Sequence, residues 1–175
     1  MTTYLSTILG KPVWDAQGQR LGRCVDVLVG DLETPFPSLC AIAIKKDGAE
    51  TQLVSAEDIA WLSPSIILKT STPQPYTPRG DELWLARKVL DRQIVDTEGR
   101  RLVRVNDIQL ARVCTADQTK YCLAGVDIGT RGLLRRLGIE EPLVGLFKQV
   151  QHREPSEVII PWKDVAPLQT DEPLR

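Results

Sequence analysis

Leu9-Gly10-Lys11-Pro12-Val13-Trp14-Asp15-Ala16-Gln17-Gly18-Gln19-Arg20-Leu21-Gly22-Arg23 is answered 81 residues later by Leu90-Asp91-Arg92-Gln93-Ile94-Val95-Asp96-Thr97-Glu98-Gly99-Arg100-Arg101-Leu102-Val103-Arg104. The register is unbroken: Asp15 stands with Asp96, Gly18 with Gly99, Leu21 with Leu102, Arg23 with Arg104 and, just beyond, Asp26 with Asp107. Such an internal match predicts two occurrences of one supersecondary unit. In each, an Asp suited to open a type I turn and a Gly suited to the left-handed position after it predict a hairpin. Leu21 and Cys24 fall on opposite parities, as do Leu102 and Val105, and this phase slip predicts a β-bulge near Asp26 and Asp107.

Working outward, Ser6 ahead of Thr7-Ile8-Leu9 and a following Gly10 predict one helical turn, and residues 83–90 a short helix before the second hairpin. Apolar runs at 39–45, 51–54 and 66–68 read as strands, with a tight turn at Lys46-Asp47-Gly48. Residues 121–128 correspond to the strand at 39–44. The insertion 129–157 is new to the second segment. In it Leu133, Leu134 and Leu137 against Arg131, Arg135 and Arg136 predict a two-faced helix stopped by Gly138. Leu143, Leu146, Phe147 and Val150 predict a second helix after Pro142. A strand at 158–160 and the closing Pro161-Trp162-Lys163-Asp164-Val165 match 55–59. The expected architecture is all-β: two small antiparallel β-barrels in tandem at 1–70 and 81–168, short helices inserted in the second, a Pro-rich linker at 71–80 and a tail at 169–175.

The chain has 175 residues and a formal net charge of -1, which gives no global attraction to nucleic acid or anionic lipid. Four dispersed cysteines without a CxxC pair read as reduced core residues of strands. No basic-then-apolar leader and no apolar run of membrane-spanning length is visible, which reads as cytoplasmic. His152 is the single histidine and lies in a polar stretch; no nucleophile elbow, GxGxxG or phosphate loop is present. No enzyme activity and no cofactor is therefore expected.

Two sites remain as candidates. The equivalent carboxylates Asp15 and Asp96, and Asp26 and Asp107, offer oxygen ligands for a divalent cation, against a local role in turns and bulges. Arg131, Leu133, Leu134, Arg135, Arg136, Leu137, Phe147 and Lys148 form a basic amphipathic surface suited to a membrane or an acidic partner; in the competing reading its leucines cover one end of the barrel while its arginines face water. Of the four tryptophans, Trp162 is expected to pack its own barrel and Trp14 and Trp84 to seal the contact between barrels.

The G-K-P-V-x-D-x-x-G-x-x-L-G-x-x-x-D stretch from Leu9 to Asp26, with the closing I-P-W-x-D-V of Ile160 to Val165, resembles the PRC-barrel family. Over Asp91 to Asp96, Val105 to Asp107 and Val126 to Gly138 the chain is similar to the tandem-barrel segment of bacterial MgtE-like magnesium transporters. The resemblance implies a non-catalytic interaction or regulatory module and a structural role for Gly18, Gly99, Trp162 and Asp164. It further implies a cytosolic platform at the inner face of the membrane, whose partner is a protein, covalently continuing transporter domains, or a second copy in a homodimer. The alternatives are a ribosome- or RNA-associated adaptor like the maturation factors that share one barrel, disfavoured by the balanced charge, and a divalent-cation-sensing domain.

Overall fold

Asp15 starts the chain's first hairpin by taking the Gln17 and Gln19 amides on one carboxylate oxygen, at 2.9 and 2.8 Å, while Gly18 turns the backbone at φ +80°. That turn joins β2 (Pro12–Trp14) to β3 (Arg20–Gly30) in the computed structural model, which describes residues 1–138 and 156–167. Ahead of them lies β1 (Thr2–Tyr4); after them come β4 (Ser38–Lys45), β5 (Gln52–Ser55), β6 (Ile59–Trp61) and β7 (Ile66–Leu68). The second segment contributes β8 (Leu83–Trp84), helix α1 (Leu85–Lys88), β9 (Gln93–Asp96), β10 (Arg101–Arg104), β11 (Asp107–Cys114), β12 (Thr119–Asp127), helix α2 (Thr130–Arg136), β13 (Ile159–Pro161) and β14 (Val165–Pro167). The protein is all-β in class. Eleven of these strands form one curled sheet, and β10, β9 and β14 form a separate three-stranded sheet.

The phase slips become structural breaks, but not equal ones. β3 runs through its irregularity, with the register against β4 shifting between Cys24 and Asp26. In the second segment the chain leaves the ladder at Val105-Asn106, so the equivalent run splits into β10 and β11, and the register shift against β12 falls between Gln109 and Leu110. Gly10 at φ +79° and Asp91 at φ +65° share a position at the close of a helical turn. The first of these turns spans Leu5–Thr7, earlier than expected, because the Ser6 side chain does not cap it and donates elsewhere.

The two segments are joined by exchange. β1, which opens the first, pairs antiparallel with β11 of the second; β8, which opens the second, pairs with β3 of the first. Each opening strand runs into a helical turn whose amides meet a buried carboxylate across the divide. Asp26 accepts from Ala86 N at 2.7 Å and Arg87 N at 3.1 Å, and Asp107 accepts from Ser6 N at 3.1 Å and Ser6 Oγ at 2.5 Å. The segments therefore share strands and a single apolar core that extends from Leu5 to Trp162. The exchange is built into the backbone pairing, because a two-residue strand such as β8 satisfies its backbone only on a neighbour's edge. Trp84 sits on that shared strand, while Trp14 pairs within its own segment through β3 and β7.

The Pro-rich stretch is laid along β5: Ser55 N donates to Gln74 O, Tyr76 N to Leu53 O, and Pro75 bridges Val54. It covers an edge that would otherwise expose unpaired amides. All four cysteines are free; burial pushes the Cys24 thiol up to about 12, whereas Cys114 is exposed at the end of β11 and is not a core residue. No helix among the described residues is long and apolar enough to cross a membrane. The second helix expected in the insertion, with Leu143, Leu146, Phe147 and Val150, falls outside the described residues, as do His152 and the tail.

Asp26→Ala removes the acceptor for both α1 amides inside a buried site and is expected to cost about 3 kcal/mol in chemical denaturation. Glu82 supplies a pH test. The Arg79 amide leads a set of donors, with the Tyr76 hydroxyl and the Gly80 amide, that holds its carboxyl down to about 2 against an ordinary 4.5. A depressed carboxyl contributes stability above its ordinary value and loses it as pH falls through the folded one. The denaturation midpoint is expected to fall between pH 4.5 and 2, and to fall less steeply in Glu82→Gln.

Candidate functional site

Asp107 at the start of β11 and Asp127 at the end of β12 are direct cross-strand partners, and both are fully buried. Like charges placed opposite each other on a sheet repel, and burial raises that cost. Burial pushes the Asp127 carboxyl above its ordinary value, against the Gly129 and Val158 amides that donate to it. The compensation comes from α2. Arg135, itself 8% exposed, places Nη1 at 3.1 Å from Asp107 Oδ2 and 3.4 Å from Asp127 Oδ2, and Nη2 at 3.3 Å from Glu157 Oε1.

Tyr4 completes the cluster from the other segment. Its ring lies under the Arg135 guanidinium at 3.4 Å, and its hydroxyl donates to the Glu157 carboxylate. Burial lowers the Arg135 pKa, but the Asp107 hydrogen bond and the charges of Asp107 and Asp127 outweigh it, so the cation is held more firmly than usual. Local sequence explains the fit. At Gly132 a Cβ would stand 2.7 Å from Asp127 Oδ2, so only glycine lets α2 lie this close to the carboxylate. At Gly125 a Cβ would drive into the Ile160 carbonyl where β13 pairs with β12.

The first segment lacks this cluster for a visible reason. Asp26 is paired across the strands with Ala43, where the second segment has Asp127 against Asp107. A lone carboxylate capped by amides needs no cation, and no inserted helix is present there.

The expected basic surface is thus divided. Leu134 and Arg135 are buried, and so the expectation that the arginines of this helix face water fails for Arg135, which is drawn inward by two carboxylates. The expected leucine stripe also splits: Leu133 and Leu137 are 43% and 60% exposed, since positions 133 and 137 lie one turn apart on the face opposite the core. Arg131 is exposed, and Arg136 is bound to Asp91, whose carboxyl is held below its usual range first by Arg136 and then by Arg104. Phe147 and Lys148 lie outside the described residues.

The four candidate metal-binding aspartates each have protein donors of their own: Asp15 the Gln17 and Gln19 amides, Asp26 the α1 amides, Asp96 the Gly99 amide at 2.9 Å and Arg101 Nε at 3.2 Å, and Asp107 Ser6 and Arg135. Among the described residues no group of three or more His, Cys, Asp or Glu is arranged to hold a metal ion. In the second hairpin it is Arg100, at φ +48°, that takes the left-handed turn position in place of Gly99. Trp162 is buried in the shared core, and the Asp164 carbonyl accepts from Thr97 N and Oγ1 at 2.9 and 3.0 Å.

Sequence reasoning did not select Asp127, Glu157, Tyr4 or Ser6. The available signal was the replacement of Ala43 by Asp127 in otherwise corresponding strands. Compared with known proteins, the chain matches no family model and no curated protein.

Arg135→Ala leaves Asp107 and Asp127 buried without their cation and is expected to cost about 3–5 kcal/mol by chemical denaturation. Arg136→Ala, which removes an exposed pair with Asp91, is expected to cost under about 1 kcal/mol.

Proposed function

We propose that the chain is a non-catalytic interaction module of the tandem PRC-barrel kind, serving as a cytosolic platform for a membrane transporter similar to the MgtE-like magnesium transporters. The observation that carries this reading is α2: a helix bolted to the body by a buried ion cluster, with Leu133 and Leu137 turned to solvent beside Arg131. Apolar side chains on a rigid mount, next to an exposed basic group, suit contact and positioning. Exchange of opening strands between the segments adds stiffness to that mount. The residues around the cluster are tied to one another by hydrogen bonds and charge, which supports a role in holding α2 in place.

The test is co-purification from detergent-solubilised membranes of the chain with a co-expressed MgtE-like transporter. Wild type is expected to be retained, and Leu133→Glu with Leu137→Glu to be lost while melting normally. Retention of the double variant, or no retention of wild type, overturns the reading.

A further inference from the structure

A second feature lies at the seam of the two segments, away from α2. An open cleft of about 950 Å³ runs between the β5 to β6 region of the first segment and the β11–β12 hairpin of the second. Its volume falls in the range of small-molecule sites. Arg112 of β11 lies on its wall with the guanidinium carbon 4.2 Å above the Trp61 ring of β6, and Trp61 remains 42% exposed. Trp61 was not among the tryptophans expected at this contact; it is the one whose ring meets a cation from the other segment.

Arg112 differs from the ion-paired arginines described above. Arg101, Arg104, Arg135 and Arg136 all have a carboxylate within 4 Å, and Arg112 has none among the described residues. Its Nε is buried with no hydrogen-bond acceptor. A buried donor without an acceptor is unfavourable, and an acceptor brought to the guanidinium relieves it. With Trp61 covering one face, the guanidinium can be satisfied only along its edge, the geometry that a planar carboxylate meets with two parallel hydrogen bonds. Lys120 of the β12 strand and Lys69 and Arg79 of the first segment also line the cleft, and none of them forms an ion pair among the described residues. Asp31, Glu57 and Asp117 line it too, so the field is not uniformly positive and selection falls to Arg112.

We propose that this cleft binds a small organic anion through a carboxylate taken edge-on by Arg112, with Trp61 as the platform beneath the guanidinium and Lys120 closing on the ligand's remaining charge. The carboxylate could belong to a free organic acid or to a larger metabolite; the recognition chemistry is the same. Because the cleft is built from both segments, occupancy links them independently of the exchanged strands.

The experiment is isothermal titration of the full chain with citrate, at ionic strength held constant with chloride, and with inorganic phosphate as the non-planar oxyanion. Saturable citrate binding, tighter than phosphate and weakened about tenfold or more in Arg112→Gln, is the expected result. Phosphate bound more tightly than citrate overturns the carboxylate assignment. No saturable binding of either anion, or equal citrate affinity in wild type and Arg112→Gln, overturns the site. Should Arg112→Gln lose its cooperative melt, the exposed Lys120→Gln carries the test, and unchanged citrate affinity there overturns the proposal.

Discussion

Two buried aspartates hold this molecule together by reaching across it. Asp26 and Asp107 each sit where a strand breaks its pleat, and each accepts hydrogen bonds from a helical turn that begins the opposite segment, Asp26 from the Ala86 and Arg87 amides and Asp107 from the Ser6 amide and hydroxyl. Hydrogen bonds to a carboxylate in a dry site are stronger than neutral ones, and their loss leaves a buried charge unanswered. The exchanged strands β1 and β8 are too short to be stable pairs by themselves. The capped turns that follow them fix where those strands lie, and the shared core closes over the result.

On that common plan the second segment carries an addition. Replacing an alanine such as Ala43 by Asp127 sets a second anion against Asp107, a strongly unfavourable arrangement in isolation. The same segment supplies the inserted helix and Arg135, so the added charge and its counter-charge come together. A buried pair of this kind is a poor source of net stability, but it is a strong constraint on position: α2 has one way to sit. Tyr4 and Ser6, from the start of the chain, lock into the same cluster, so the anchor of α2 and the exchange of strands are mechanically one device.

Much of the fold could be read in advance because it depends on short-range rules. The hairpin at Asp15 to Gly18, the turn ending at Gly48 and the strand at Ile66–Leu68 follow from turn chemistry and apolar runs. The bulge near Asp26 followed from a parity slip. Less was legible at the site. Arg135 looks like Arg131 and Arg136 in sequence, and only the position of two carboxylates from other strands separates the one that is buried from those that are exposed. Leu133 and Leu134 are adjacent and equally apolar, yet one faces solvent and the other the core, since about 100° of helix rotation separates neighbours.

The sequence by itself determined the all-β class, the two hairpins and the turn at Asp15 to Gly18, because each depends on residues within a few positions of one another. Tertiary structure alone decided that the segments exchange their opening strands, that Asp107 and Asp127 face each other, and that Arg135, Tyr4 and Glu157 converge on them. The same holds for Arg112 over Trp61 at the seam. These are contacts between residues far apart in the chain, and their partners are selected by burial and charge balance in three dimensions, quantities that no local pattern encodes.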